Sequence, residues 1–334
     1  MKKNISKSKK NPLALLEPFL QDEAVSEILI DSPDRVLVER NRQLIDSGVK
    51  FTSAAELRET INAVLALCNE KFEAGQTVAD AGLPDGSRVL AVLPPTAVDG
   101  PYLVIRKFFR HSMTWERILE VKGIDRPTYD LLQSAVQSRQ NILVVGGTGS
   151  GKTTILNLLA QSVSPTERII VVGNKGDLPV DHPRRIHLEP NRRMGLSIGD
   201  LFVAAARMRP DRIISTDFSG SEIIHPLQLA NTGHDGSMMN IHANSVEDAL
   251  GRLESMCLMA DIGLGLNEIR TMIASAFGVI AYQRRMPNGS RKMTEITEMR
   301  GLDHDRYLLQ PLMRYNVETD EFEMMSVKPS WESK

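Results

Sequence analysis

Cysteine is nearly absent from this chain, with two in 334 residues, Cys68 and Cys257. They lie far apart, and each falls within an apolar helical pattern. They read as buried free thiols, which suits a reducing cytoplasm. Charge of one sign is not in excess either. A formal net charge of -2 gives no overall pull toward nucleic acid or an anionic membrane, and no nucleic-acid partner is expected. Long apolar runs are missing: the longest uncharged stretches, such as Thr271 to Gln283, are well short of the ~20 residues that cross a bilayer. Any membrane role must therefore come through a partner. The start, "MKKNISKSKK", is basic, but the "NPLALLEPFL" that follows carries two prolines and Glu17, so no export segment is indicated. Repeats and low-complexity tracts are absent too.

What remains is an ordinary globular composition, 42% hydrophobic and 25% charged, in a chain long enough for two domains. After a basic start expected to be mobile (1–22), "VSEILIDSPDRVLVERN" alternates apolar and polar residues about a Ser-Pro-Asp turn and reads as a hairpin. "SAAELRETINAVLALCNEKF" places Leu57, Ile61, Val64, Leu65, Cys68 and Phe72 on one helical face, and Ser53 with Glu56 forms a capping-box pattern. "SRVLAVLPP" and "DGPYLVIRKF" read as strands. This predicts an α+β N-terminal domain over 23–110. The stretch "RHSMTWERILEVKGID" has weak periodicity and a glycine, and 111–125 is taken as a connector.

From 126 to 334, strands and helices alternate: Asn141 to Val145, a helix from Lys152, Arg168 to Val172, a helix from Ser197, Arg212 to Thr216, a helix from Glu222, Met238 to Ile241, and a helix from Ser245. The pattern predicts an α/β fold, a mainly parallel sheet with helices on both faces. "RYLLQPLMRYNVETDEFEMM" closes it as a hairpin.

The chemistry concentrates in "NILVVGGTGSGKTTILNLLA", which fits G-x4-G-K-[ST] at Gly146, Gly151, Lys152 and Thr153, between an apolar strand and a helix. The glycines let backbone N–H groups turn toward phosphate oxygens, and the helix adds the positive end of its dipole. Lys152 would neutralise β/γ-phosphates and the Thr153 hydroxyl would ligate Mg²⁺. ATP and Mg²⁺ are the expected ligands. About sixty residues on, "RIISTDFSGSE" runs to a strand end where a carboxylate should handle magnesium and the attacking water, and Asp217 is the candidate.

Taken together, "DGSRVLAVLPP", "DGPYLVIRKF", "GGTGSGKTT", "RMRPDRII", "NTGHDGSMMNIHANSVEDALGRLE" and "EIRTMIASAF" resemble the secretion traffic ATPases, most closely the tight-adherence (Flp-type) pilus-assembly branch. The likeness runs from Glu23 to Arg300. It implies a RecA-like P-loop ATPase domain and hexameric rings in the cytoplasm beneath inner-membrane platform proteins, with ATP turnover driving pilus assembly or secretion. A homo-hexamer or a mixed ring with a paralogous ATPase is thus expected. Gly146, Gly147, Thr148, Gly149, Ser150, Gly151, Lys152, Thr153 and Thr154 resemble the family's phosphate loop. His242 in "NIHAN" matches its histidine box, which senses the γ-phosphate region, and His234 in "TGHDG" belongs to the same motif. Arg88, Arg106 and Lys107 resemble N-domain basic residues that reach nucleotide across the domain interface; read without the family, they are a solvated strand face.

The chain also departs from the family. Where relatives carry a Glu-Asp pair, "VVGNKGDLP" has Gly173 and Asn174, with Asp177 nearby but out of register. The family's Gly-Glu-Val-Arg-Gly becomes Thr216, Asp217, Phe218, Ser219 and Gly220. A general base must come within ~2.6–3.2 Å of its water, and aspartate falls ~1.5 Å short of glutamate. A misplacement of that size costs on the order of 10² in rate, and a lost arginine on the order of 10³ more. Binding should survive and hydrolysis should be weak. Three readings stand: a motor with a slow site in which Asp217 is the Mg²⁺-side carboxylate; a non-hydrolysing structural or regulatory partner of an active paralogue; and, weakest, a P-loop kinase, for which no lid-like arginine cluster is evident.

Overall fold

The computed structural model describes residues 11–40, 43–107, 113–174, 178–190, 195–216 and 220–332, together with Gly176 and Phe218. The chain divides into two compact units, the second beginning at Met113.

In the first unit, β1 (Val25–Ser32), β2 (Arg35–Arg40), β3 (Gln43–Asp46), β4 (Val78–Gly82), β5 (Arg88–Val92) and β6 (Tyr102–Arg106) form one sheet in the order β3-β2-β1-β6-β5-β4. Every neighbouring pair is antiparallel. Period-2 burial puts Val89 and Ala91 of β5, and Leu103 and Ile105 of β6, in the core. The helix α1 (Glu17–Gln21) precedes β1, and α2 (Ala54–Leu67) adds Leu57, Ile61, Val64 and Leu65 to the same core. Its N-cap Ser53 accepts from the Glu56 N–H at 3.2 Å, while the Glu56 carboxylate accepts from the Thr52 N–H at 2.6 Å. Phe72, expected on the helical face, lies beyond the end of α2 and packs against the core from there. The segment from residue 11 to 22, expected as part of a mobile start, is docked: Leu16 is fully buried, and the Pro12 carbonyl accepts from Thr60 Oγ1 at 2.7 Å. Residues 1–10 lie outside the described residues.

The second unit opens with α3 (Trp115–Glu120) and α4 (Arg126–Gln137). The stretch expected as a connector therefore holds a helix, and Trp115 and Ile118 sit in this unit's core. Trp115 Nε1 donates to Ser162 Oγ at 3.0 Å, pinning α3 to the end of the phosphate-loop helix. There follow β7 (Ile142–Gly146), α5 (Lys152–Gln161), β8 (Ile169–Val172), β9 (Arg185–Leu188), α6 (Ile198–Arg207), β10 (Arg212–Ser215), a 3-10 turn at Ser221–Ile223 running into α7 (Ile224–Ala230), β11 (Met238–His242), α8 (Val246–Met259), α9 (Leu266–Ala276), β12 (Val279–Arg285), β13 (Arg291–Asp303), β14 (Arg306–Asn316) and β15 (Glu321–Met324). The sheet order is β15-β14-β13-β12-β7-β11-β10-β8-β9. From β12 to β9 every pair is parallel, and β12 to β15 form an antiparallel meander on one flank.

The expected α/β core, mainly parallel with helices on both faces, is present. The side chains of α4 and α5 pack on one face, and those of α6 to α9 pack on the other. β7 and β8 are buried at every position, as parallel strands covered on both sides must be. Among the described residues no helix is long and apolar enough to cross a membrane. Cys257 is buried and Cys68 half-buried, both free, and burial pushes each thiol up to about 11, so both stay protonated at neutral pH.

At the amino ends of the parallel strands, Arg212 holds the sheet together. Its side chain is 2% exposed and is paired to Glu167 at 3.0 Å. It also donates to the Val136 carbonyl at 2.9 Å. Removing one partner of a buried pair strands the other charge. Glu167→Ala is expected to lose about 3–5 kcal/mol in urea unfolding, against which a loss below ~1 kcal/mol, the value of a surface pair, would count.

Candidate functional site: a phosphate loop at the carboxyl ends of parallel strands

β7 delivers Gly146 to the carboxyl edge of the sheet, where the chain turns through Gly147 to Gly151 into α5. Two features require glycine. A Cβ on Gly146 would sit 2.2 Å from the Gln283 carbonyl and 2.5 Å from Ser150 Oγ. Gly151, the residue preceding α5, has φ +96°, a left-handed conformation that costs a side-chain-bearing residue ~1–2 kcal/mol. The Ser150 hydroxyl is buried against Gly146 with no hydrogen-bond partner among the described residues. Thr148 and Gly149 are exposed at the turn, and Thr154 lies in the first turn of α5.

Lys152 is 5% exposed. Its ammonium donates to the Gly147 carbonyl at 3.0 Å and to His242 Nδ1 at 3.2 Å. An ammonium cannot accept, so this contact makes Nδ1 the acceptor and puts the proton of a neutral ring on Nε2. β11 pairs with β7 in parallel, His242 opposite Gly146, which sets the imidazole beside the loop. His234 is elsewhere, at the amino end of β11, where its Nδ1 lies 3.2 Å from the Leu229 carbonyl at the end of α7. Of the two histidines in the motif, only His242 reaches the loop.

Further side chains reach the site from segments that sequence patterning left unread. The β12–β13 hairpin brings Arg285 and Arg291 to the loop as cross-strand partners. Arg291 Nε donates to the Gly149 carbonyl at 3.0 Å, and an Arg285 nitrogen lies 3.7 Å from where a Gly149 Cβ would stand. Like charges directly opposite one another destabilise a strand pair, and with Lys152 they make this edge a place for an anion. Beneath the loop, Asn240 is fully buried; its Nδ2 is 3.5 Å from Thr153 Oγ1, and its Oδ1 accepts from Thr216 Oγ1 at 3.0 Å. Asn240 opens the quoted "NIHAN", where the sequence draws attention to His242 instead.

The residues from 9 to 311 match the family model of type II/IV secretion system proteins. This chain belongs to that family. A putative conjugal transfer protein of Mycobacterium tuberculosis is 30% identical over 297 residues, covering 86% of this chain and 84% of its own. The type IV secretion system protein PtlH of Bordetella pertussis is 30% identical over 314 residues, covering 84% and 91% respectively. Among solved structures, the pilus retraction motor PilT with bound ADP superposes with a TM-score of 0.63 at 16% identity over 93% of this chain and 85% of that one. The Legionella pneumophila ATPase DotB does so at 0.60 and 16% over 87% and 82%. At that identity, the two structures speak to the fold alone.

The expected departure from the family on the acidic side falls at Gly173 and Asn174. Gly173 is buried at the end of β8 with φ +145°. Its N–H donates to the Leu188 carbonyl at 3.0 Å, and its own carbonyl accepts from His187 Nε2 at 2.7 Å. A Cβ there would stand 3.4 Å from Thr216 Cγ2. The backbone conformation at Gly173 is thus one that L side chains rarely adopt. Asp217, Ser219 and Asp177 lie outside the described residues.

The basic residues singled out in the first unit all have carboxylate or carbonyl partners there. Arg88 meets Asp80 at 3.0 Å and Arg106 meets Glu27 at 3.2 Å. Lys107 donates to the Phe19 and Asp22 carbonyls at 3.0 and 2.7 Å, and burial lowers its pKa below the usual lysine value.

The two neighbouring glycines separate the geometry from mere loop flexibility. Gly146→Ala is expected to lower unfolding stability by about 1–3 kcal/mol through overpacking. Gly147→Ala, whose new methyl has nothing closer than Asn244 Oδ1 at 4.0 Å, should melt like the parent. Equal melting of both in thermal unfolding would contradict the cradle.

Proposed function

We propose that this chain is a nucleotide-binding subunit of a pilus-assembly or secretion ATPase ring, of the tight-adherence kind, that holds Mg²⁺-ATP firmly and hydrolyses it slowly. The observation that carries the reading is the placement of Lys152 inside a glycine cradle, between the loop's own carbonyl and His242. Family membership and the fold shared with a motor solved with ADP point the same way.

The residues present fit the group they would hold. Loop amides and the buried Ser150 hydroxyl meet phosphate oxygens, Lys152 and the Arg285–Arg291 pair balance their charge, and Thr153 Oγ1 is the ligand for the cation. Bound Mg²⁺ supplies charge neutralisation on the β- and γ-oxygens. Asp217 would stand on the metal side, and His242 would report on the γ-phosphate through its contact with Lys152. Arg88, Arg106 and Lys107 keep the nucleotide-reaching role the resemblance implies for them. The ring is a homo-hexamer or is shared with a paralogous ATPase, on the cytoplasmic side of an inner-membrane platform protein.

A second reading is favoured by one specific observation: the glycine at 173, with its positive φ, leaves no side chain where the family has its acidic pair. On that reading the subunit binds nucleotide without hydrolysing it and serves an active paralogue as a structural or regulatory member.

Lys152→Ala removes the fixed cation and should weaken ATP binding in calorimetry by about 2 kcal/mol or more, the scale of a lost charge-assisted hydrogen bond. Unchanged affinity would overturn the nucleotide assignment. Light scattering with Mg²⁺ and a non-hydrolysable analogue, alone and with the paralogue, should find a ring, and a monomer in both would overturn the assembly.

A further inference from the structure

β11 presents its residues alternately to two different environments. Met239 and Ile241 enter the core beneath α6 to α9, while Met238, Asn240 and His242 face the side of the phosphate-loop helix. The two polar residues on that side meet consecutive residues in the first turn of α5. His242 meets Lys152 at 3.2 Å and Asn240 meets Thr153 at 3.5 Å. Asn240 is 0% exposed on a strand flanked by β7 and β10. An unpaired amide there would cost ~1–3 kcal/mol, so an apolar residue would be the stable choice if packing were all that mattered. The amide is oriented from its far side by Thr216 Oγ1, itself 4% exposed at the end of β10. The result is an uncharged chain of three side chains, Thr216 and Asn240 buried and Thr153 half-buried, linking two adjacent strands to the helix.

We infer that Asn240, held by Thr216, is a positioning residue for the Thr153 hydroxyl and sets the affinity of the site for the divalent cation that accompanies nucleotide. This rests on the reading of the loop as a Mg²⁺-nucleotide site. The chemistry is that of an outer-shell partner. The Asn240 N–H occupies one lone pair of Thr153 Oγ1 and restricts rotation about its χ1, so the other lone pair keeps a fixed direction for a metal ion. Being neutral, the chain fixes direction without adding negative charge. It therefore acts on the metal and leaves the amide contacts to phosphate untouched.

The test is titration of a non-hydrolysable ATP analogue by calorimetry, in EDTA and over a series of Mg²⁺ concentrations, on the wild type, Asn240→Ala and Thr216→Val, each first melted to establish that it is folded. The expected result for Asn240→Ala is a rise of about tenfold in the Mg²⁺ concentration for half-maximal enhancement of binding, the usual cost of losing an outer-shell partner, with affinity in EDTA unchanged. Thr216→Val, which removes the hydroxyl at constant shape, should shift the same midpoint in the same direction by less. Should Asn240→Ala fail to fold, Thr216→Val alone decides. A wild-type midpoint in the folded variants overturns the inference, as does an equal loss with and without Mg²⁺, which would mark a purely structural amide. Failure of the wild type to bind the analogue at all would instead overturn the nucleotide reading itself.

Discussion

The pairing of β11 with β7, with His242 opposite Gly146, is the constraint on which the site depends. Side chains on a strand alternate in direction, so a slip of one residue would send Asn240 and His242 into the opposite core and bring Met239 and Ile241 to the phosphate loop. The register is held by apolar burial on both faces of the sheet, which leaves one strand-length free to carry polar chemistry at its carboxyl end. Stability and function are thereby assigned to opposite ends of the same strands. The buried Arg212–Glu167 pair ties the amino ends, and the glycine cradle, Lys152 and the β12–β13 arginines gather at the other.

On the proposed reading, that arrangement lets the site retain binding while hydrolysis is weak. Phosphate recognition would use backbone amides, a helix terminus and cations, all fixed by β7, α5 and the neighbouring hairpin. Hydrolysis would need acidic groups from the ends of β8 and β10, where the resemblance implies departures at Gly173, Asn174, Asp217 and Ser219. Gly173 has φ +145° and is hydrogen-bonded at both its N–H and its carbonyl to residues of β9. The backbone at that position is therefore one that an L side chain rarely adopts. The methyl of Thr216, also buried, faces the same position.

Much of this was legible in the sequence because it depends on local pattern. The phosphate loop, the buried strands at β7, β8 and β10, and the helix begun by Ser197 each follow from composition over a few residues. Other features depend on long-range contacts and were not read. β9 is four residues long between "LPVDHPR" and the charged sequence "EPNRR", too short to announce itself, and it becomes a strand only by pairing with β8. In β12 the apolar run continues that of α9, so the boundary disappears without tertiary information. α3 looked like a connector because it buries only Trp115 and Ile118, and the 11–22 segment looked mobile because its leucines find partners in a distant helix and sheet. Asn240 and Thr216 lie inside motifs read for His242 and Asp217, and their own contact shows only in the 3.0 Å between them.

The account's central claim is a site that retains nucleotide but turns it over slowly. The direct measurement is steady-state phosphate release by the purified protein under ring-forming conditions with saturating Mg²⁺-ATP, alongside the bound nucleotide fraction in the same sample. The expected result is near-full occupancy with turnover well below ~1 s⁻¹, the lower end of typical enzyme rates. Turnover at or above ~1 s⁻¹ would contradict the claim, because the altered acidic side would then be no impediment.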